Sequence, residues 1–137
     1  MKVIRWGILG LGNIAHKFAT DLSKVNGCKL YGVASSREQV AEKFAVEFNV
    51  KKFYNNYQKL ILDKEIDIIY VATLNQDHYK YSIEALSNKK AVLCEKPLAI
   101  NKSQVQNLIK CSKKNNSFLM EALWTRFNPT FKQLLSW

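Results

Sequence analysis

Residues 3–15 read V-I-R-W-G-I-L-G-L-G-N-I-A. An apolar run climbs to Leu9, and Gly10, Gly12 and Ala15 then follow in the order G-x-G-x-x-A. Past them the apolar spacing changes. Ile14, Phe18 and Leu22 recur every four residues, the period of one helix face. Strand, tight turn and helix in that order form the context in which this glycine pattern predicts a dinucleotide-binding turn. Gly10 permits the sharp turn. Gly12 lets a pyrophosphate reach the backbone, and Ala15 lets the helix pack close to the strand. The helix N-terminus offers unpaired N–H groups and a positive dipole end to the phosphates. A plain glycine-rich turn is the competing reading, since the bare pattern is weak.

Composition sets the bounds. With 137 residues, 47% hydrophobic and 23% charged, the chain fits one globular domain rather than a disordered segment. Cys28, Cys94 and Cys111 are an odd, widely spaced set, which gives neither a disulfide framework nor a zinc site, so no metal is expected. That usage fits a reducing cytoplasm. The net charge of +10 raises nucleic acid as a partner. The lysines, however, are scattered or paired (Lys51-Lys52, Lys89-Lys90, Lys113-Lys114) and no nucleic-acid motif accompanies them, so a solvated basic surface is expected. The apolar stretch after Met1-Lys2 is short, broken by Arg5 and followed by no small-residue cleavage site, unlike a leader. No run reaches the ~18 apolar residues of a membrane span.

The order of elements points to an α/β fold, a doubly wound parallel sheet of about six strands. After the first helix, Asn26-Gly27 turns the chain into a strand at 29–34 that ends in Ser35-Ser36-Arg37. An NAD-binding protein usually places an acid there for the ribose hydroxyls; Ser36 and Arg37 suit a 2′-phosphate instead. That favours NADP and leaves NAD open, because Ser36 with Gln39 also reads as a helix capping box. A helix over 37–48 buries Val40, Phe44 and Phe48. A short strand at 52–54 and a short helix through Leu60 follow. The next strand, 68–72, is continuously apolar, as in a parallel sheet covered on both faces. Thr73-Leu74-Asn75-Gln76-Asp77-His78 lies at its C-terminal end, where such sheets bind ligands. Asn75 is also a candidate cap, and His78 by spacing alone reads as structural. The helix carries Tyr79, Ile83 and Leu86 inward, and Asn88 is expected to close it in the left-handed conformation. Strand 91–94 runs into Glu95-Lys96-Pro97, an unusual place for two charges. Lys96 there could face a nicotinamide and a substrate hydroxyl. Asn101 with Gln104 opens a helix bearing Val105, Leu108 and Ile109, a strand at 117–122 follows, and Pro129 starts a last helix with an apolar stripe of Phe131, Leu134 and Leu135.

Taken together, G-I-L-G-L-G-N-I-A (7–15), V-A-T-L-N-Q-D-H (71–78), C-E-K-P-L-A (94–99) and E-A-L-W-T-R-F-N-P (121–129) resemble the glucose–fructose oxidoreductase and inositol dehydrogenase (Gfo/Idh/MocA) family. The last block is most similar to the dihydrodiol dehydrogenase-like branch, whose members favour NADP. The resemblance implies that Gly10, Gly12, Asn13 and Ile14 meet the pyrophosphate and that Ser36 and Arg37 meet the adenosine ribose. It implies that Thr73, Leu74, Asn75 and His78 line the cofactor cleft. Glu95 and Lys96 would flank the nicotinamide, with Lys96 touching the substrate, and Trp124 and Arg126 would close over the cofactor. Leu74 stands where the family often has Pro. The family also continues for about another domain's length, a substrate-binding α/β domain that usually makes the dimer. The expectation is therefore a Rossmann domain over 1–122 and, in 123–137, the start of a connection to a substrate domain outside this chain, either as a cut piece or as a truncated gene product. Homo-oligomer formation stays open.

The implied function is an NADP-binding domain, with NAD as the alternative, of an oxidoreductase acting on the CH–OH group of a sugar, cyclitol or diol. Lys96 would stabilise the developing negative oxygen or relay the proton. The chain alone is expected to turn over little or nothing. One rival is a dinucleotide-binding module without catalysis. Another is a methyltransferase, which the E-K-P block and Arg37 argue against.

Overall fold

The computed structural model describes residues 3–137; Met1 and Lys2, where the leader reading began, lie outside the described residues. Strand β1 (Ile4–Leu9) passes through the glycine turn into helix α1 (Asn13–Leu22). The chain then alternates: β2 (Cys28–Ala34), α2 (Glu38–Glu47), β3 (Lys52–Tyr54), α3 (Tyr57–Ile61), β4 (Ile68–Val71), a 3₁₀ turn at Asn75–Asp77, α4 (His78–Ser87), β5 (Ala91–Cys94), α5 (Lys102–Asn115) and β6 (Leu119–Glu121). A second 3₁₀ turn, Trp124–Phe127, precedes helix α6 (Pro129–Leu135). The six strands form one sheet in the order β3-β2-β1-β4-β5-β6, every neighbouring pair parallel. The order reverses between β1 and β4, and ligands of open α/β sheets bind at the carboxyl ends of the strands flanking such a point.

The sheet separates two cores. On one face α1 and α2 bury Ala15, Ala19, Phe44 and Ala45 against Ile8, Val33 and Tyr70. On the other, α3, α4 and α5 bury Leu60, Ile61, Leu86 and Leu108 against Leu9, Ile69, Val71 and Val92. The cover is uneven. On the α1 face, Leu93 of β5 and Met120 of β6 line a hollow beside α1 instead of lying under a helix.

Four local expectations are corrected. The Ser36–Gln39 capping box is not made: α2 starts at Glu38, its N-cap is Arg37, and the cap makes no side-chain hydrogen bond. The hydroxyl of the buried Ser35 accepts the Arg37 N–H instead, at 3.1 Å. Asn75 begins its 3₁₀ turn without capping it. The left-handed residue after α4 is Lys89, at φ 58°, not Asn88. The Asn88 amide donates to the Glu84 carbonyl, and the Lys90 N–H reaches back to the Ala85 carbonyl at 3.0 Å, which puts the turn on the residue between them. Lys90 is drawn inward because its ammonium donates to the carbonyls of Asp63 and Ile66. On α5, Leu108 is buried and Val105 packs against it, but Ile109 lies exposed.

Candidate functional site

The turn between β1 and α1 is locked by its neighbour. Gly10 sits at φ +84°, and a Cβ there would come within 2.6 Å of the Ala72 carbonyl oxygen, so this glycine serves both the backbone angle and close packing on the turn after β4. Gly12 is different: a Cβ there would meet nothing within 4 Å. It is the N-cap of α1, and its carbonyl accepts the N–H groups of Ala15 and His16. The amides of Asn13 and Ile14 have no acceptor among the described residues, and both residues are exposed. Bare backbone and two free donors at a helix N-terminus make an anion cradle. The residues present therefore fit a dinucleotide pyrophosphate.

Ser36 and Arg37 leave the end of β2, the strand next to β1, and both are exposed. The Arg37 guanidinium has no partner among the described residues; no acid stands at 34–37, and the first carboxylate, Glu38, opens α2. Tyr57, at the start of α3, borders the same corner. Burial and the neighbouring Tyr81 push its phenol up, and nearby Ser36 opposes them. The sequence reading missed Tyr57; an aromatic in the first turn after β3 carries no signal of its own.

At the end of β4 the chain presents Thr73, Leu74 and Asn75. Leu74 is 70% exposed and Asn75 is exposed, whereas the Thr73 hydroxyl is enclosed without a hydrogen-bond partner. His78 lies behind them and is 1% exposed. Its Nδ1 lies 2.7 Å from the Pro97 carbonyl oxygen and its Nε2 lies 3.1 Å from that of Thr73. The imidazole thus ties the turn after β4 to the segment after β5. The resemblance implied that His78 lines the cofactor cleft; at 1% exposure the ring lies behind that turn, with both ring nitrogens on backbone carbonyls.

Strand β5 delivers Glu95, Lys96 and Pro97, and the Lys96–Pro97 bond is cis. The Glu95 N–H donates to the Val71 carbonyl at 2.9 Å, which holds the strand exit against β4. Its carboxylate accepts the Tyr70 hydroxyl at 2.5 Å on one oxygen and the Lys96 N–H at 3.2 Å on the other. Lys96 is exposed, and its ammonium has no partner among the described residues. The Leu98 N–H donates to Glu121, which fastens the segment to β6. Cys94 is buried, and burial pushes its thiol up to about 12, so it is an inert core residue.

Glu95 stands at the head of a hollow of about 610 Å³ lined by Ile14, Phe18, Tyr70, Leu93, Met120 and Trp124. That volume is of the size that takes small molecules. Trp124 and Phe127 form its rim; Arg126 is exposed on the same turn and does not line it. The structure thus brings Gly10, Gly12, Asn13, Ile14, Thr73, Leu74, Asn75, Glu95 and Lys96 to the carboxyl ends of β1, β4 and β5, with Ser36 and Arg37 beside them at β2. Among the described residues no cluster of His, Cys, Asp or Glu could hold a metal, and no helix is long and apolar enough to cross a membrane.

Trans-1,2-dihydrobenzene-1,2-diol dehydrogenase of Xenopus tropicalis is 39% identical over 132 residues, covering 95% of this chain and 40% of the relative. The mouse enzyme of the same name is 37% identical over 133 residues, again 40% of its length. Among solved structures, a probable dehydrogenase from Thermotoga maritima superposes with a TM-score of 0.91 at 31% identity, over 97% of this chain and 40% of the other. A 3-ketoreductase from Actinomadura kijaniata, solved with NADP and TDP-benzene, does so with a TM-score of 0.93 at 26% identity, over 97% and 41%. The chain therefore spans about 40% of the length of these relatives. The model of the Gfo/Idh/MocA oxidoreductase family, NAD-binding Rossmann fold, matches residues 4–123, and the chain belongs to that family as its nucleotide-binding domain.

Proposed function

We propose that this chain is the coenzyme-holding part of an NADP-dependent dehydrogenase or reductase acting at a CH–OH group of a diol, cyclitol or sugar. One observation carries the reading: the open backbone at Gly12 beside the acceptor-free amides of Asn13 and Ile14. The adenosine 2′-phosphate falls to Ser36 and Arg37. A guanidinium grips phosphate through two parallel hydrogen bonds, and Ser36 and Arg37 stand where an NAD-binding protein usually carries an acid. Thr73, Leu74 and Asn75 form the middle of the cleft, and Glu95 marks the nicotinamide end. The mostly apolar hollow beside it, with Lys17 and Asp21 on its α1 side, offers that end an apolar wall. Trp124 and Arg126, on the exposed turn after β6, are the residues we assign to cover the coenzyme.

When bound, the nicotinamide supplies the redox chemistry. The exposed ammonium of Lys96 would donate a hydrogen bond to the substrate oxygen and stabilise negative charge on it as the hydroxyl proton passes to solvent water. The names of the relatives, a trans-1,2-dihydrobenzene-1,2-diol dehydrogenase and a 3-ketoreductase solved with NADP, support a small hydroxylated or keto-bearing molecule as substrate. The chain covers about 40% of the length of those relatives. By itself it is expected to bind coenzyme and turn over little or nothing.

The test is calorimetric titration of wild type and Arg37→Ala with NADPH and NADH. A charge-assisted phosphate contact is worth roughly 1.5–3 kcal/mol, about ten- to a hundredfold in affinity. NADPH binding is expected to fall by that factor and NADH binding to stay unchanged. Equal binding of both coenzymes by wild type would remove the NADP assignment. Steady oxidation of a diol by the purified chain would remove the expectation that it is inactive alone.

A further inference from the structure

Tyr70 belongs to β4, is 2% exposed, and forms part of the floor of the hollow. Its ring is stacked on Phe18 of α1, with centroids 4.0 Å apart, and Phe18 in turn packs on Trp6. The phenol therefore has one orientation available. Its hydroxyl donates to Glu95, a residue 25 positions later in the chain. Burial and the carboxylate push the phenol well above its ordinary range, so it stays a donor at every working pH. A glutamate at a strand exit would otherwise sample several rotamers. Here one oxygen is held by Tyr70 and the other by the Lys96 N–H. Each carboxylate oxygen has a second lone pair, so Glu95 can still accept two hydrogen bonds from a ligand.

We propose that Tyr70 is a positioning residue of the coenzyme site: its hydroxyl presets the Glu95 carboxylate to accept hydrogen bonds from the nicotinamide half of the dinucleotide. The inference rests on the coenzyme reading above. Ordering a rotamer-rich side chain before the ligand arrives is worth roughly three- to tenfold in affinity. The gain falls on the nicotinamide half alone, because the adenosine half meets β2 and the start of α1. Tyr70→Phe keeps the stacked ring and removes only the donor.

The experiment measures the affinities of the full chain for NADPH and for adenosine 2′,5′-bisphosphate, which lacks the nicotinamide half. Wild type is expected to bind both, NADPH more tightly. Tyr70→Phe is expected to weaken NADPH by roughly three- to tenfold and leave the bisphosphate unchanged. Glu95→Gln should do the same at least as strongly, and the double variant should lose no more than Glu95→Gln alone, since the two groups act as one unit. Equal losses for both ligands would show a merely structural tyrosine and overturn the proposal. So would unchanged NADPH affinity in Tyr70→Phe or in Glu95→Gln; the latter decides the matter even if the phenylalanine variant fails to fold. If wild type binds neither ligand, the coenzyme reading itself is wrong.

Discussion

Gly10 and Gly12 stand two residues apart in one turn and answer to different forces. Gly10 is set by the protein: its φ of +84° and the Ala72 carbonyl 2.6 Å from a Cβ leave no room for a side chain. Gly10→Ala is therefore expected to lower stability by about 2 kcal/mol or more, read as a shift of the urea midpoint. Gly12 has φ −85°, which any residue adopts, and open space where a Cβ would go. Gly12→Ala should leave the midpoint within about 0.5 kcal/mol of wild type while NADPH binding falls at least tenfold. Equal coenzyme affinity in Gly12→Ala would show that no phosphate approaches this backbone. The contrast separates a glycine needed for folding from one kept clear for a ligand.

At the scale of elements, the site is a set of strand exits held in register by side chains from outside the cleft. His78 joins the turn after β4 to the segment after β5, and Glu121 holds the same segment from β6. Removing the imidazole leaves two carbonyls facing a cavity. His78→Ala is expected to cost roughly 2–4 kcal/mol, measured by chemical denaturation, from lost packing and unpaired polar groups together. It should also weaken NADPH, because Asn75 and Lys96 lose their common anchor. A stability loss with unchanged coenzyme affinity would mean that the two strand exits keep their places without the bridge.

The whole molecule is stitched at a second place. Asp63, in the loop before β4, accepts from Lys52 at 2.8 Å and from Tyr54 at 2.5 Å. Burial pushes its carboxyl up, but these hydrogen bonds outweigh burial and hold it at about 2, below an ordinary 3.8. A depressed carboxyl contributes stability that is fully present above its unfolded value and is lost as pH falls through the folded one. Up to about 2 kcal/mol should therefore disappear between about pH 4 and pH 2. Denaturant midpoints over that range are expected to fall in wild type and to change less in Asp63→Asn; parallel curves would show that Asp63 is not a source of the acid sensitivity. The network lies away from the cleft, so coenzyme affinity at neutral pH should be little affected by the substitution.

The order of the elements, the parallel sheet and the dinucleotide turn were legible in the residues because each rests on local physics: four-residue apolar spacing, buried strand runs, and a glycine at position 10 where only glycine serves. The same local reading misplaced the cap of α2 and the end of α4. Ser35, Asn88 and Lys90 compete for those backbone groups through contacts that short-range patterns do not contain. What only the tertiary structure decided is which side chains meet. Tyr70 reaches Glu95 across 25 residues, His78 reaches the Pro97 carbonyl across 19, and Leu93 and Met120 are left lining a hollow. The reason is physical. A parallel sheet brings its strand exits together through crossovers whose length and packing, not the spacing of any one motif, set the neighbours at the cleft.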